Sequence, residues 1–256
     1  GSGAVLFNTP IHPIEVYNDI DENLVNFFRV LQNPELFQKL EHRLQYTLYS
    51  RVEYKKAATI IREKSLHDDP VTWAWAYFVM SNQSFCSNLT SWGYNKKDDV
   101  NKNFLGGCAS QFKRRIGELR RYIDRLQYVQ IECDDAIKII KRFDMPDTVF
   151  YCDPPYLMES RKTNSKMYQH EMTLEQHLEL LDRLLTCQGA VILSGYQSEL
   201  YCEKLKNWDI HTLRHYTSLG QNLGNVYRVA SGKQIRYEVI WRNARAVELS
   251  NELTLF

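Results

Sequence analysis

The sequence predicts an α/β fold in which a mainly helical subdomain is inserted into one sheet. Short apolar runs bounded by turn residues, at 14–18, 148–152 and 189–194, are typical of strands in such a sheet. Residues from about 36 to 130 instead alternate helical, aromatic and polar segments without strand periodicity. We therefore expect residues 1–35 and 128–256 to form the sheet domain. Residues 36–127 are predicted to form a helical subdomain inserted between the second and third strands of the sheet. In this count, the first strand is one that should precede Gly1.

The first segment combines glycines, a helix, a strand and an acid. Gly1-Ser2-Gly3 leads into a helix opening at 4–8, the strand at 14–18 ends at Asp19, and helical spacing follows. Nucleotide-binding α/β units have this order, because glycines let the backbone approach a ligand and an acid can accept hydrogen bonds from ribose hydroxyls. Two alternatives stay open. Gly1-Ser2 can be an expression scar, and Asp19-Ile20-Asp21 can be a helix N-cap.

A basic helix is predicted at 111–126, after an aromatic cluster at 73–78 and a polar, turn-rich stretch at 82–103. Its six cations outnumber its two acids by four: Lys113, Arg114, Arg115, Arg120, Arg121 and Arg125 against Glu118 and Asp124. A solvated helix face is one interpretation. A surface that contacts phosphates is the other, and it predicts that Lys113, Arg114, Arg115 and Arg121 bind a nucleic acid.

The tetrapeptide Asp153-Pro154-Pro155-Tyr156 follows the strand at 148–152, which we expect to be buried and parallel. An acid at the carboxyl end of such a strand faces the crevice where α/β sheets bind ligands. The prolines hold their carbonyls rigidly, and the tyrosine offers a flat ring. Acid, carbonyl and ring suit a planar ligand with an exocyclic amino group. An ordinary turn is the alternative.

The remaining elements continue the alternation of helices and strands. Residues 128–132 form a predicted strand closed by Cys133-Asp134-Asp135, and a helix runs through Ile140. A polar loop at 157–172 follows the tetrapeptide, and Thr173 with Gln176 resembles a capping box that opens a helix to Leu185. Strands are predicted at 189–194, 208–216 and 236–241. The loop carries four further candidate contacts to nucleic acid: Arg161, Lys162, Lys166 and Tyr168.

The bulk composition excludes several classes of protein. A net charge of +1 over 256 residues leaves only local patches to attract a polyanion. The six cysteines form no C-x-x-C pair, which indicates reduced thiols in the cytosol and no zinc or other metal site. No apolar run approaches the ~18 residues needed to span a membrane, and no signal peptide is visible.

Taken together, these motifs resemble DNA N6-adenine methyltransferases of the Dam type, nearer to the solo enzymes of phages and prophages. Gly1–3 with Ala4-Val5-Leu6 resembles the end of that family's cofactor loop, Asn18-Asp19-Ile20-Asp21 its ribose-binding segment, and Cys133-Asp134-Asp135-Ala136 the segment beside the cofactor adenine. Residues 191–196 and 237–243 resemble its late strands. The family has about thirty further residues before the glycine loop, so we expect this numbering to begin at a truncation or at the first ordered residue.

The resemblance implies a Rossmann-like sheet that binds S-adenosylmethionine, with residues 36–127 as the target-recognition subdomain. It places the cofactor at Gly1, Ser2, Gly3, Asp19, Ile20, Cys133, Asp134, Asp135 and Asp153. It places the chemistry at Asp153, Pro154, Pro155 and Tyr156, where the methyl group passes in line to the N6 of an adenine rotated out of duplex DNA. A cytoplasmic enzyme of a bacterial or phage-infected cell is expected, with a monomer favoured and a partner nuclease undecided.

Rival interpretations remain at this point. An RNA or small-substrate amino-methyltransferase could use a related tetrapeptide. A catalytically silent DNA-binding module, or an NAD-dependent dehydrogenase that uses only the glycines and Asp19, would account for part of the pattern.

Overall fold

The computed structural model describes residues 3–63, 68–84, 91–94, 107–157, 171–217, 226–228 and 234–253. The chain divides into two compact units, residues 1–134 and residues 135–256. Each unit carries its own sheet.

The first unit contains two parallel strands, β1 (Glu15–Asn18) and β2 (Val129–Glu132). They pair in register from Glu15 opposite Val129 to Asn18 opposite Glu132. Both strands were predicted, and their pairing joins segments more than a hundred residues apart. The described chain between them is helical apart from one isolated antiparallel bridge, Ser84 to Trp92.

Polar residues start the main helices of this unit. The order is α1 (Ala4–Asn8), α2 (Glu22–Gln32), α3 (Pro34–Gln45), α4 (Arg51–Glu63), α5 (Pro70–Gln83), α6 (Gly107–Glu118) and α7 (Arg120–Leu126). Asp21, Asn33 and Asp69 cap α2, α3 and α5 through side-chain oxygens. Proline follows directly at the first position of α3 and α5, where its missing N–H costs nothing. The apolar faces meet in one core around Leu40, Trp75 and Val79.

The prediction of one continuous helix over 111–126 was wrong. The helix breaks at Leu119, where two backbone hydrogen bonds span three residues instead of the four of an α-helix. Leu119 N donates to Ile116 O at 3.3 Å, and Tyr122 N donates to Leu119 O at 3.1 Å. Gly117 weakens the helix beside the break. The tighter turn keeps both Ile116 and Leu119 in the core, with 5% and 4% of their surface exposed.

The second unit is built on a mixed five-stranded sheet. Its strands are β3 (Val149–Cys152), β4 (Ala190–Gly195), β5 (Asp209–Thr217), β6 (Val226–Arg228) and β7 (Gln234–Arg242). The order is β3-β4-β7-β5, with β6 also paired to β7. β3 and β4 are parallel, whereas β7 runs antiparallel to its neighbours. The predicted strands at 189–194, 208–216 and 236–241 are confirmed as β4, β5 and β7 with small shifts of their ends.

The expectation of a buried strand before the tetrapeptide was half right. β3 is parallel to β4, as predicted, but Val149 and Tyr151 are 57% and 43% exposed. Successive side chains alternate between the two faces of β3, and Val149 and Tyr151 share the face that the described residues leave more exposed. Phe150 and Cys152 lie on the opposite face, against the apolar core.

Helices cover this core: α8 (Ala136–Phe143), α9 (Leu174–Leu185), α10 (Glu199–Lys204) and α11 (Ala244–Leu253). The capping box at Thr173 and Gln176 is confirmed, with both of its hydrogen bonds present. α9 contributes Leu180, Leu181 and Leu184 to a core completed by Leu193 and Trp241. Over the part of the chain that is described, no helix has the length and apolar character needed to cross a membrane.

Candidate active site

The tetrapeptide lies at the carboxyl ends of two parallel strands. Cys152 pairs with Leu193, so Asp153 comes level with Ser194 on the neighbouring strand. Asp153 is exposed, Pro154, Pro155 and Tyr156 are half-buried, and the next residue, Leu157, is buried. The carboxylate is therefore accessible at the sheet edge where α/β proteins bind ligands, and is not packed in the interior.

The ring of Tyr156 is held at two points. Its hydroxyl donates to Oε1 of Glu238 at 2.9 Å, and the buried Ser194 hydroxyl donates to the same oxygen at 2.7 Å. The ring also contacts Tyr196, with centroids 4.4 Å apart and planes inclined by 55°. Glu238, Ser194 and Tyr196 were not predicted as site residues. The serine in the otherwise apolar β4 was an available signal, whereas Glu238 gave none because β7 contains several other polar residues.

The side chains beside the motif are protonated at neutral pH. Burial, with the charges of Asp153 and Glu238, raises the pKa of the Tyr151 hydroxyl. Burial raises the pKa of the Cys152 thiol to about 12. This thiol is therefore not a nucleophile at neutral pH.

Gly3 has a backbone conformation that favours glycine. Its φ is 77°, in the left-handed region, and a β carbon would lie 3.0 Å from the Phe7 ring. Its carbonyl accepts the Phe7 N–H at 3.0 Å, which starts α1. The other two residues of the predicted loop, Gly1 and Ser2, lie outside the described residues.

Asp19 is not the cap of α2. That position belongs to Asp21, whose side chain accepts from Asn23 N at 3.0 Å. Asp19 lies at the end of β1, half-buried, where it accepts from Asp21 N at 2.9 Å and from the Tyr17 hydroxyl at 3.2 Å. The alternative of an N-cap at 19–21 therefore applies to Asp21 alone. Two donors orient the Asp19 carboxylate, and the adjacent Ile20 is exposed.

The segment after β2 is divided between two roles. Asp134 exchanges two backbone hydrogen bonds with the Asn18 side chain, which ties the ends of β1 and β2 together. Asp135 caps α8 by accepting from Ile137 N at 2.9 Å and Lys138 N at 3.3 Å. Burial raises the pKa of the Cys133 thiol. Asp135 is thus the N-cap of α8, a structural role that was not predicted from the sequence.

The predicted basic residues separate into engaged and exposed groups. Arg114 pairs with Glu118 at 3.0 Å, Arg115 donates to the Asn82 amide at 2.8 Å, and Lys113 donates to the Gln45 carbonyl. Arg121 is exposed on α7. Arg161, Lys162, Lys166 and Tyr168 lie outside the described residues. Fewer positive charges are therefore available to bind a polyanion than the excess of four counted in the sequence of this stretch.

Two further basic residues of this stretch support the fold. Arg120 forms two hydrogen bonds with the Glu41 carboxylate, and Arg125 two with Glu15. The Arg125 and Glu15 side chains are only 10% and 8% exposed.

An open groove on α4 was not predicted. Its volume is about 820 Å³, and its lining includes Arg51, Lys55, Arg62 and Trp92. The Arg51 guanidinium lies 4.7 Å from the Trp92 ring centroid, and Trp92 stacks on Tyr94. The groove adds cations and aromatic rings to the first unit. Within the described residues, no group of three or more His, Cys, Asp or Glu side chains could hold a metal ion.

Comparison with known proteins agrees with these features. The family model of the D12 class N6 adenine-specific DNA methyltransferases matches residues 1–225. The DNA adenine methylase of Salmonella typhi is 23% identical over 245 residues, covering 90% of this chain and 81% of the relative. Those of Escherichia coli K12 and Haemophilus influenzae are 24% identical over 242 and 237 residues, covering 90% and 87% of this chain and 81% and 77% of the relatives. With its tetrapeptide, its glycine and its strand-end acids inside the matched range, the chain belongs to the D12 class of N6 adenine-specific DNA methyltransferases.

Proposed function

We propose that this adenine methyltransferase acts on an adenine rotated out of duplex DNA, with the Asp153 carboxylate and the Pro154 carbonyl accepting the two hydrogens of its N6 amino group. The observation that carries the proposal is the exposed Asp153 at the end of β3, beside an anchored tyrosine ring. Two acceptors on one amino group favour a pyramidal nitrogen and stabilise the positive charge that grows there.

S-adenosylmethionine would supply a methyl group already activated by its sulfonium. The N6 lone pair of adenine forms the new N–C bond in line as the S–C bond breaks, so no covalent enzyme intermediate is needed. One N6 proton then leaves, and Asp153 need not be a strong base because the loss follows transfer. Tyr156 offers its ring to the extruded base, a stacking contact of about 1–3 kcal/mol that offsets part of the cost of unstacking.

The residues at the end of β1 fit the methyl donor. Gly3 has the left-handed backbone conformation that lets a glycine loop turn into α1, and the Asp19 carboxylate is fixed in one orientation by two donors. We assign Gly1, Ser2, Gly3, Asp19, Ile20 and Cys133-Asp134-Asp135 to donor binding, with Asp19 accepting ribose hydroxyls.

The helical segment at 36–127 is proposed to recognise the target sequence, and the cations of α6 and α7 to contact phosphates. Its length and its position between β1 and β2 support this assignment. Since the substrate is genomic DNA, we place the enzyme in the cytoplasm of a bacterial or phage-infected cell, acting as a monomer.

The test is transfer of a labelled methyl group from S-adenosylmethionine to duplex DNA, to an adenine-free duplex and to structured RNA. Transfer to the adenine-containing duplex alone is expected, and sequencing the product maps the target. Asp153→Ala should lower turnover by about 10²–10³-fold while calorimetry finds donor affinity nearly unchanged. Asp147→Asn, at an exposed aspartate in the turn before β3, serves as a matched control. Wild-type turnover by Asp153→Ala, or transfer to RNA in preference to DNA, would refute the proposal.

A further inference from the structure

We propose that Glu238 is a positioning residue for the reaction: it fixes the plane of the Tyr156 ring against which the adenine stacks. The inference rests on the proposed function of Tyr156. Glu238 lies on β7, 82 positions from Tyr156, and its Oε1 accepts the Tyr156 hydroxyl at 2.9 Å.

The glutamate is itself held in place. Ser194, on β4, is fully buried and donates to the same Oε1 at 2.7 Å. Ser194 is opposite Ile240 in the antiparallel β4–β7 ladder, and Glu238 lies two residues before Ile240 on β7, so its side chain is on the same face. The carboxylate is therefore tied to the rigid centre of the sheet before it receives the tyrosine.

Two other restraints on the tyrosine ring are weaker than this hydrogen bond. The prolines before it fix the backbone, but they leave rotation about the side-chain bonds open. Tyr196 bounds the ring at 55°, which is a tilted contact and not a parallel stack. A hydrogen bond from the hydroxyl to a charged acceptor is the strongest of these restraints. Without it, the ring would sample several planes and meet the base in only some of them.

A double-mutant cycle tests this coupling. Tyr156→Phe keeps the ring and removes its hydroxyl, Glu238→Ala removes the acceptor, and Glu238→Gln keeps an acceptor oxygen of nearly the same position. We expect Tyr156→Phe and Glu238→Ala each to lower kcat by roughly tenfold. The double variant should be no worse than either alone, because both remove one interaction. Glu238→Gln should restore most of the activity, while KM for the methyl donor stays constant.

A spectroscopic measurement separates positioning from general stability. With 2-aminopurine at the mapped target base, stacking on Tyr156 should quench the fluorescence of the extruded base in the wild type. Tyr156→Phe and Glu238→Ala should both raise this fluorescence several-fold, whereas Asp147→Asn should not. Thermal melting monitors folding of every variant.

The results decide between the possibilities. Full activity and wild-type fluorescence of Tyr156→Phe, or independent multiplication of the two losses, would overturn the positioning role. If Glu238→Ala does not fold, Tyr156→Phe and Glu238→Gln decide alone. Inactivity of the wild-type protein on adenine-containing DNA would instead refute the proposed function itself.

Discussion

Asn18 and Asp134 exchange two hydrogen bonds across 116 positions of sequence. Asn18 Nδ2 donates to the Asp134 carbonyl at 3.0 Å, and the Asp134 N–H donates to Asn18 Oδ1 at 3.1 Å. The pair extends the parallel β1–β2 ladder by one step, at the end where the strands carry Asp19 and Asp134. An amide side chain carries a donor and an acceptor side by side, as a backbone peptide does. The carboxyl ends of both strands are thereby held at fixed separation.

We expect Asn18→Ala to weaken binding of S-adenosylmethionine and to lower the free energy of unfolding by about 2 kcal/mol, because it removes both hydrogen bonds from the Asn18 side chain to the Asp134 backbone. Asn18→Asp is the matched control, since it keeps the acceptor for Asp134 N and loses only the donor. Its donor affinity and its free energy of unfolding should lie between those of the wild type and of Asn18→Ala. Calorimetry and urea unfolding measure the two effects. If Asn18→Ala bound S-adenosylmethionine as tightly as the wild type, the Asn18–Asp134 hydrogen bonds would not position the donor site.

The two acids of the 19–21 segment should respond differently to substitution. Asp19→Asn is expected to lower donor affinity about tenfold, since a neutral amide is a weaker acceptor for ribose hydroxyls than a carboxylate. Asp21→Asn should change little, because asparagine caps a helix as well as aspartate does. Asp21→Ala should cost about 1 kcal/mol of stability through the lost cap and leave the donor affinity unchanged. Equal loss of affinity in both asparagine variants would contradict the assignment of Asp19.

The sequence predicted most of the strands and the site tetrapeptide because both depend on local patterns. The run at 148–152 is apolar and ends at two prolines, so its strand and its end could be predicted without knowing its neighbours. Its burial could not, because exposure of Val149 and Tyr151 depends on which elements pack over that face of β3. Glu238 could not be connected with Tyr156 for the same reason: their contact is set by the register of β4 and β7. The break at Leu119 follows from core packing, which overrides the helical pattern of 111–126.

The buried ion pair between Glu15 and Arg125 should make stability depend on pH. The hydrogen bond from Arg125 lowers the pKa of the Glu15 carboxyl from its ordinary value of 4.5. Because the folded-state pKa is the lower one, the pair stabilises fully above about pH 4.5, and its contribution is lost as the pH falls through the folded-state value. Glu15→Gln should cost about 3–5 kcal/mol near neutral pH, since it leaves a buried guanidinium without its counter-charge.

Urea unfolding at pH 7 and at successively lower pH, on wild type and Glu15→Gln, measures this effect. The stability difference between the two proteins should shrink as the pH is lowered. Comparing the proteins removes the contributions of Asp69 and Asp144, whose carboxyl pKa values are also lowered. A difference that stays constant across this range would contradict the pairing as the source of the pH dependence.

Cations of α6 and α7 should differ in their contribution to DNA binding according to their partners. Arg115 donates to a neutral amide, Arg121 is exposed, and neither forms an ion pair with an acid among the described residues, so we expect both to keep their positive charge available to DNA. Arg120 is held by both oxygens of Glu41, which neutralises it. Neutralising Arg115 and Arg121 together should reduce the slope of log affinity against log salt by about two, because each phosphate contact contributes about 0.9. Arg120→Gln should leave the slope unchanged. Titrations of one duplex at several salt concentrations give both slopes. If the Arg115 and Arg121 double variant kept the wild-type slope, the phosphate contacts would have to lie on another surface. The cations of the α4 groove, Arg51 and Lys55, would then be the next to neutralise.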